Sequence, residues 1–321
     1  MNPKVTLISW TKNPIETVYA VWQQSKSNDA IISPKDIDPT DPKVLKVFEG
    51  VINSHIPVSD FLNFVFVLED ISISFREQMV RHKIGMKFGA QMSVDIIPEQ
   101  SDSSFWGQSM RILDMSKFYD EGRYRLPEIL EGKLAASTVY HTAMQVIQES
   151  YKELLKLGIP MEDAREVIPL GATHRFAWSL NLTALKHVIG KRSCWIPQMG
   201  LWEPIITGMI EELCKIHPIF RNLVKPPCIG SDGKFKDCVY KIDNERRISR
   251  EDETLPCPLY LYHHKDKNVA DNVPENKIQK FNERTGQYGK LWGHNPVTWD
   301  NHHTINWPEP EEKPDMGMEG L

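Results

Sequence analysis

The sequence predicts an α+β fold, and three observations carry that expectation. Residues 63–68 alternate Phe64, Phe66 and Leu68 with Val65 and Val67, a strand with both faces at least partly buried. Several longer stretches repeat apolar residues at helical spacing instead. With 321 residues, 40% hydrophobic and 25% charged, the chain can bury one large core or two modest ones. In chain order, Asn13-Pro14 opens a helix whose face is Ile15, Val18, Tyr19 and Trp22, with proline in the first turn. The strand at 63–68 leads into a helix over 72–83. There Phe75, Met79 and Val80 face inward and leave Gln78, Arg81 and His82 to reach away from the core or into a cleft. Residues 132–157 form a long helix, stopped by Gly158 with Pro160 beyond it. Helices at 182–189 and 202–215 follow, the latter with Ile205, Ile206, Met209, Ile210 and Leu213 on one face and Pro218 closing it. Phe105, Trp106 and Trp178 read as core aromatics.

The pattern changes near Pro226-Pro227-Cys228, where glycines at 230 and 233 and a charged run over 243–253 interrupt it. Two parts are therefore expected: a main domain over 1–224 and an extension over 225–321. The extension ends in a proline-bearing acidic tail, and its tryptophans Trp299 and Trp307 favour a segment draped on a neighbour before a disordered end. A formal net charge of −5 gives no global attraction to a nucleic-acid polymer, whereas a locally basic pocket still suits a single nucleotide. The first residues lack the apolar stretch of a signal peptide, and no segment is apolar enough to span a membrane. Five widely spaced cysteines do not form a secreted disulfide framework, so a reducing, cytoplasmic setting is expected. Cys228, Cys238, Cys257, His263 and His264 are spaced compatibly with zinc but contain no C-x-x-C pair. They read as buried thiols and an exposed histidine pair, and no metal site is predicted.

A signature interrupted by an insert is the most informative feature. Arg81-His82-Lys83-Ile84-Gly85 and Ser104-Phe105-Trp106-Gly107-Gln108-Ser109-Met110-Arg111-Ile112 flank residues 86–103. Rejoined, they resemble the R-H-R-x-x-S-x-N-E-x-S-x-R-Y signature of the flavin-dependent thymidylate synthases. The likeness extends over nearly all of the first 220 residues. Residues 5–27 resemble the family's opening strand and helix, and His55 ahead of Asp60 resembles its histidine-then-acid segment, with Phe61 where a second histidine is usual. Ala164-Arg165-Glu166-Val167-Ile168-Pro169-Leu170 resembles its A-R-x-x-L-P block, and Arg175-Phe176-Ala177-Trp178-Ser179-Leu180-Asn181 with Arg192 resembles its final block.

The resemblance implies a central, mostly antiparallel sheet flanked by long helices. It also implies a homotetramer in which several chains contribute to each site. The implied reaction transfers a one-carbon unit from methylenetetrahydrofolate to C5 of dUMP, giving dTMP, with FAD reduced by NADPH and no protein nucleophile. By position, Gln78, Gln108, Ser109, Arg111 and Arg165 would hold the nucleotide's phosphate and sugar, and Arg192 would reach the pyrimidine. Arginine suits the phosphate because its planar guanidinium offers paired donors. Arg81, His82 and Lys83 would line the flavin, with His55, Asn181 and His187 near its rings. His55 and Arg192 are the positions closest to the implied chemistry.

Departures from the signature keep other outcomes open. Lys83 replaces an arginine, Trp106-Gly107 replaces Asn-Glu, Ile112 replaces tyrosine, and Thr183 stands where many members place another arginine. A UMP methylase, a pyrimidine nucleotide hydroxymethylase and a non-catalytic nucleotide-binding scaffold are the alternatives. The set Arg81, Ser109, Arg111, Arg165 and Arg192 argues against the scaffold. Residues 86–103 carry Met86, Phe88, Val94, Ile96 and Ile97, more apolar material than a solvated loop needs, and read as a functional insert shaping the pocket.

Overall fold

A computed structural model describes residues 3–26, 32–54, 57–82, 103–108, 113–127, 130–194, 199–224 and Cys228. Among these residues the strands are β1 (Lys4–Trp10), β2 (Asn63–Ser72), β3 (Ser103–Gly107) and β4 (Thr173–Asn181). They form one antiparallel sheet ordered β1-β2-β4-β3. The α-helices are α1 (Pro14–Gln24), α2 (Pro42–Asn53), α3 (Ile73–Met79), α4 (Leu134–Lys156), α5 (Met161–Ala164), α6 (Leu182–Arg192) and α7 (Met199–Ile216). The expected α+β architecture, a central antiparallel sheet with long helices, is the one observed.

Large apolar residues paired across β2 and β4 set the register. Phe64 faces Leu180, Phe66 faces Trp178 and Leu68 faces Phe176, and all six side chains are buried. Because side chains alternate along a strand, slipping by one residue would turn this whole set to the opposite face. Helix α7 adds Trp202, Ile205, Ile206, Met209, Ile210 and Leu213, all buried. It lies so close to β1 that a Cβ on Gly208 would sit 2.8 Å from Val5 Cγ2. Phe220, in the turn after α7, meets Phe48 of α2 and Phe64 of β2 edge-on, at centroid distances of 5.5 and 5.7 Å. A second cluster of Met115, Phe118, Met144, Tyr151, Ala164 and Ala172 lies under α4. Within it, buried Gln148 accepts from the backbone N–H groups of Tyr119 and Asp120 at 2.9 and 3.2 Å.

Helix ends follow local chemistry. Pro14 is preset for a first turn, and Thr17 N–H donates to the Asn13 carbonyl at 2.8 Å. Helix α4 ends as expected at Gly158, whose φ of 82° is left-handed. Gly158 N–H donates to the Leu155 carbonyl and Ile159 N–H to that of Leu154, the paired bonds of a Schellman stop. Helix α3 is shorter than its apolar pattern. After Met79 the N–H groups of Arg81 and His82 donate to carbonyls three residues back, tightening the last turn. Trp178 is buried as expected, but Trp106 is not a core residue. It is 82% exposed because it pairs with Ala177, on the sheet face opposite buried Phe176, Trp178 and Leu180. The Phe105 side chain lies outside the described residues.

By contacts the chain divides into two units, residues 1–192 with 198–223, and residues 193–197 with 224–321. The expectations for the extension, including Cys238, Cys257, His263, His264 and the tail, fall outside the described residues. So does the insert, apart from Ser103.

Substituting Gly208→Ala should destabilise the protein by about 1–3 kcal/mol, because the new methyl meets the branched carbon of Val5 rather than a flexible chain end. In urea unfolding, pairing it with Val5→Ala should recover part of that loss.

Candidate active site

The ladder between β2 and β4 determines where two helices meet. Ser72 pairs with Thr173 at one end of it and Asn63 with Asn181 at the other. Helix α3 leaves β2 at the first end and α6 leaves β4 at the second. Each start is capped by the last strand residue: Ser72 Oγ accepts from Phe75 N–H at 3.2 Å, and Asn181 Oδ1 accepts from Ala184 N–H at 2.8 Å. The two helices therefore run toward one another, and their C-terminal turns converge on His82 and Arg192. Arg81, Lys191 and Arg192 all stand at these C-terminal ends, where the helix dipole favours positive charge.

At the convergence Arg192 Nε donates to His82 Nε2 at 2.7 Å, and its Nη1 reaches Gln78 Oε1 at 3.5 Å. Trp202 Nε1 donates to the same Gln78 oxygen at 2.8 Å. The Trp202 ring carries the guanidinium on its face, with Cζ 4.2 Å from the centroid. Arginine and the indole are donors only, so the tautomer and the flip of their partners follow from chemistry. His82 must accept at Nε2 and carry its proton on Nδ1, and Gln78 must turn its oxygen toward Trp202 and Arg192. Burial, then the charges of Arg192, His187 and Lys191, push the His82 imidazole down to about 3, so it is neutral at physiological pH. The His187 ring is 6.1 Å from that of His82.

Four expected site residues, Gln78, His82, His187 and Arg192, are thus brought together, and Arg81 lies exposed beside them. Asn181 is buried beneath the start of α6. Besides capping, its Nδ2 donates to Asp60 Oδ1 at 3.2 Å, the oxygen to which Thr183 Oγ1 donates at 2.6 Å. Next to it Lys186 donates to the Val51 carbonyl at 2.6 Å and to the Ser54 carbonyl, tying α6 to the end of α2. Burial pushes this lysine down to about 8. Gln108 extends the pairing of β3 with β4: its Oε1 accepts from Arg175 N–H at 2.9 Å. Arg165 stands apart on the turn after α5, where Nε donates to the Glu162 carbonyl at 2.8 Å and the guanidinium lies 4.0 Å from the Glu162 carboxylate. His55, Lys83, Ser109 and Arg111 lie outside the described residues. The sequence reading missed Trp202, Lys186 and Lys191. Trp202 read only as the start of an apolar helix, and nothing in its spacing distinguishes it from its buried neighbours.

Among the described residues no group of three or more His, Cys, Asp or Glu could hold a metal ion, and no helix is long and apolar enough to cross a membrane. The antiparallel sheet and the cluster of cationic side chains at two helix ends define the class: an α+β protein with positive charge gathered where two helices end. The family model described as thymidylate synthase complementing protein matches residues 6–219, and the chain belongs to that family. Its relatives include the flavin-dependent thymidylate synthase of Pyrococcus abyssi, 27% identical over 236 residues, which span 70% of this chain and 86% of the relative. The flavin-dependent thymidylate synthase of Sulfurisphaera tokodaii is 25% identical over 255 residues, 77% of this chain and 89% of the relative. A solved structure of a UMP/dUMP methylase, PolB from Streptomyces cacaoi, bound with 5-Br dUMP, is similar in fold. It has a TM-score of 0.51 and 18% identity, covering 69% of this chain and 94% of its own.

Because the folded chain takes up a proton at His82 only near pH 3 and an unfolded histidine does so near 6.5, His82's contribution to stability is complete above pH 6.5. It falls as the pH drops from 6.5 toward 3. Urea unfolding at pH 7 and pH 5 should show a larger loss of stability for the parent than for His82→Gln, which keeps an acceptor but does not titrate.

Proposed function

We propose that the chain catalyses flavin-dependent transfer of a one-carbon unit from methylenetetrahydrofolate to C5 of a uridylate-type nucleotide, dUMP to dTMP, with NADPH as reductant. The observation that carries this reading is the joining of Gln78 and His82 with Arg192, 114 and 110 residues further on, into one hydrogen-bonded cluster. A flavin dinucleotide fits the residues present. Arg81 and Lys191 offer positive charge for a pyrophosphate, and the neutral imidazole of His82 and the ring of His187 offer flat faces beside it. When bound, the flavin supplies the redox and carrier chemistry. The protein's part is positioning and electrostatics. Arg192, braced by His82 and Trp202, directs its remaining donors toward the pyrimidine, and Arg81, His82 and His187 flank the flavin. Asn181 and Lys186 fix the start of α6 and the segment that leads to His55. Ser109, Arg111, Gln108 and Arg165 complete the nucleotide side.

Gly107 favours a second substrate. The acidic residue of the common signature is absent there, and a Cβ would sit 3.1 Å from the Phe176 ring, so a side chain fits only if the ring gives by a few tenths of an ångström. The sugar-facing part of the pocket then differs, and UMP becomes a candidate beside dUMP, as in the name of the Streptomyces protein. A homotetramer accounts for Arg165 standing apart, because another subunit's Arg165 then completes each site. Helix α4 supports this with an uncharged exposed stripe that includes Val139 and Val146, 71% and 58% exposed. The expected setting is the cytoplasm.

Purified full-length protein should retain flavin and, supplied with NADPH and methylenetetrahydrofolate, convert dUMP or UMP to a product heavier by one methyl group on mass spectrometry. A product heavier by a hydroxymethyl group would replace the methylation reading, and no product from either nucleotide would leave the scaffold alternative. Val146→Glu should shift the tetramer to smaller species in sedimentation, since it places a charge in the uncharged stripe of α4.

A further inference from the structure

We infer that Trp202 is a positioning residue of the nucleotide site, which locks Gln78 in one amide orientation and Arg192 in one plane. The inference rests on the proposed function, because it takes Gln78 and Arg192 to meet the nucleotide. Trp202 is fully buried, and one side chain makes two different contacts: its indole N–H bonds to Gln78 Oε1 at 2.8 Å, and its ring face lies under the Arg192 guanidinium at 4.2 Å. Phe75 packs against the same ring at a centroid distance of 4.4 Å, and His82 stands edge-on to it at 5.2 Å, so the indole cannot turn without disturbing both.

The lock has a definite chemical sense. A glutamine amide can present either oxygen or nitrogen to a ligand, and in an open pocket the two flips interchange readily. Here both neighbours of the amide oxygen are donors, so a flip would set the amide N–H₂ against the indole N–H and the guanidinium. Gln78 therefore faces a ligand as a hydrogen-bond donor. That suits the acceptors of a uridylate, which are phosphate oxygens and ring carbonyls, and it opposes a flip in which Gln78 would accept. Arg192, pinned through its face by Trp202 and through Nε by His82, is likewise restricted to one plane, which preorganises its other N–H groups.

The test is a double-mutant cycle on the flavin-loaded, full-length protein, with dUMP affinity read by calorimetry. Trp202→Phe keeps an aromatic ring under Arg192, removes the indole N–H and leaves a small cavity. It should weaken dUMP binding about tenfold in the parent, the equivalent of one hydrogen bond, and at most about twofold in a Gln78→Ala background, because both changes act through one contact. Flavin content and the KM for methylenetetrahydrofolate should not move, which a general loss of packing would alter. An equal loss in both backgrounds, or no loss in the parent, overturns the proposal. If Trp202→Phe does not fold, Gln78→Glu provides a second arm. It still accepts from the indole but carries no N–H donor, and should weaken dUMP binding at least as much as Gln78→Ala. Unchanged affinity in Gln78→Glu overturns the donor assignment. Should Gln78→Ala and Arg192→Ala both bind dUMP like the parent, the nucleotide-site reading itself fails. Losses in those two variants with none in Trp202→Phe overturn the Trp202 inference alone.

Discussion

The pairing of β2 with β4 sets the distance between the starts of α3 and α6, because each helix begins where one of these strands ends. The Phe66–Trp178 and Leu68–Phe176 pairs hold that register through buried area, and a slip of one residue would expose them. The helices rise about 1.5 Å per residue, so their lengths then bring His82 and Arg192 within hydrogen-bonding reach. Core packing thus fixes a polar geometry that neither helix specifies alone. The caps contribute as well, since Ser72 and Asn181 each close a strand and open a helix without an intervening loop.

The electrostatics at the convergence agree with that geometry. Helix C-terminal ends carry negative partial charge, which favours the nearby Arg81, Lys191 and Arg192. Burial, then the charges of Arg192, His187 and Lys191, hold His82 neutral, and only a neutral imidazole can accept from a guanidinium. A donor-only arginine and a donor-only indole then leave glutamine and histidine one arrangement each. Polar order of this kind is specific because the alternatives leave buried groups unpaired.

Much of this was legible in the sequence, though unevenly. The apolar spacing of α1, α4 and α7 and the alternation in β2 are periodic signals, and the structure places helices and a strand there. Helix α2 was not expected, although Asp41 caps it and Val44, Phe48, Val51 and Ile52 recur at helical intervals. Strand β4 was read as a motif rather than as a strand, so its pairing with β2 stayed hidden. At the site, Gln78, His82, His187 and Arg192 came from the signature and its neighbours. Trp202 could not, since its role depends on a tertiary contact that leaves no local pattern. Trp106 differs from expectation because an aromatic in a strand looks like core until the face it occupies is known.

The contact between Gly107 and Phe176 bears on how this signature could have diverged. Phe176 is 2% exposed and belongs to the packed pairs that set the central register, while Gly107 stands on β3 where the common signature has its acid. Restoring a side chain at 107 asks the ring to give by a few tenths of an ångström, and trimming the ring opens a cavity in the core. What position 107 accepts therefore depends on how far a core ring can shift. A motif departure that looks local along the sequence thus borders a ring of the hydrophobic core.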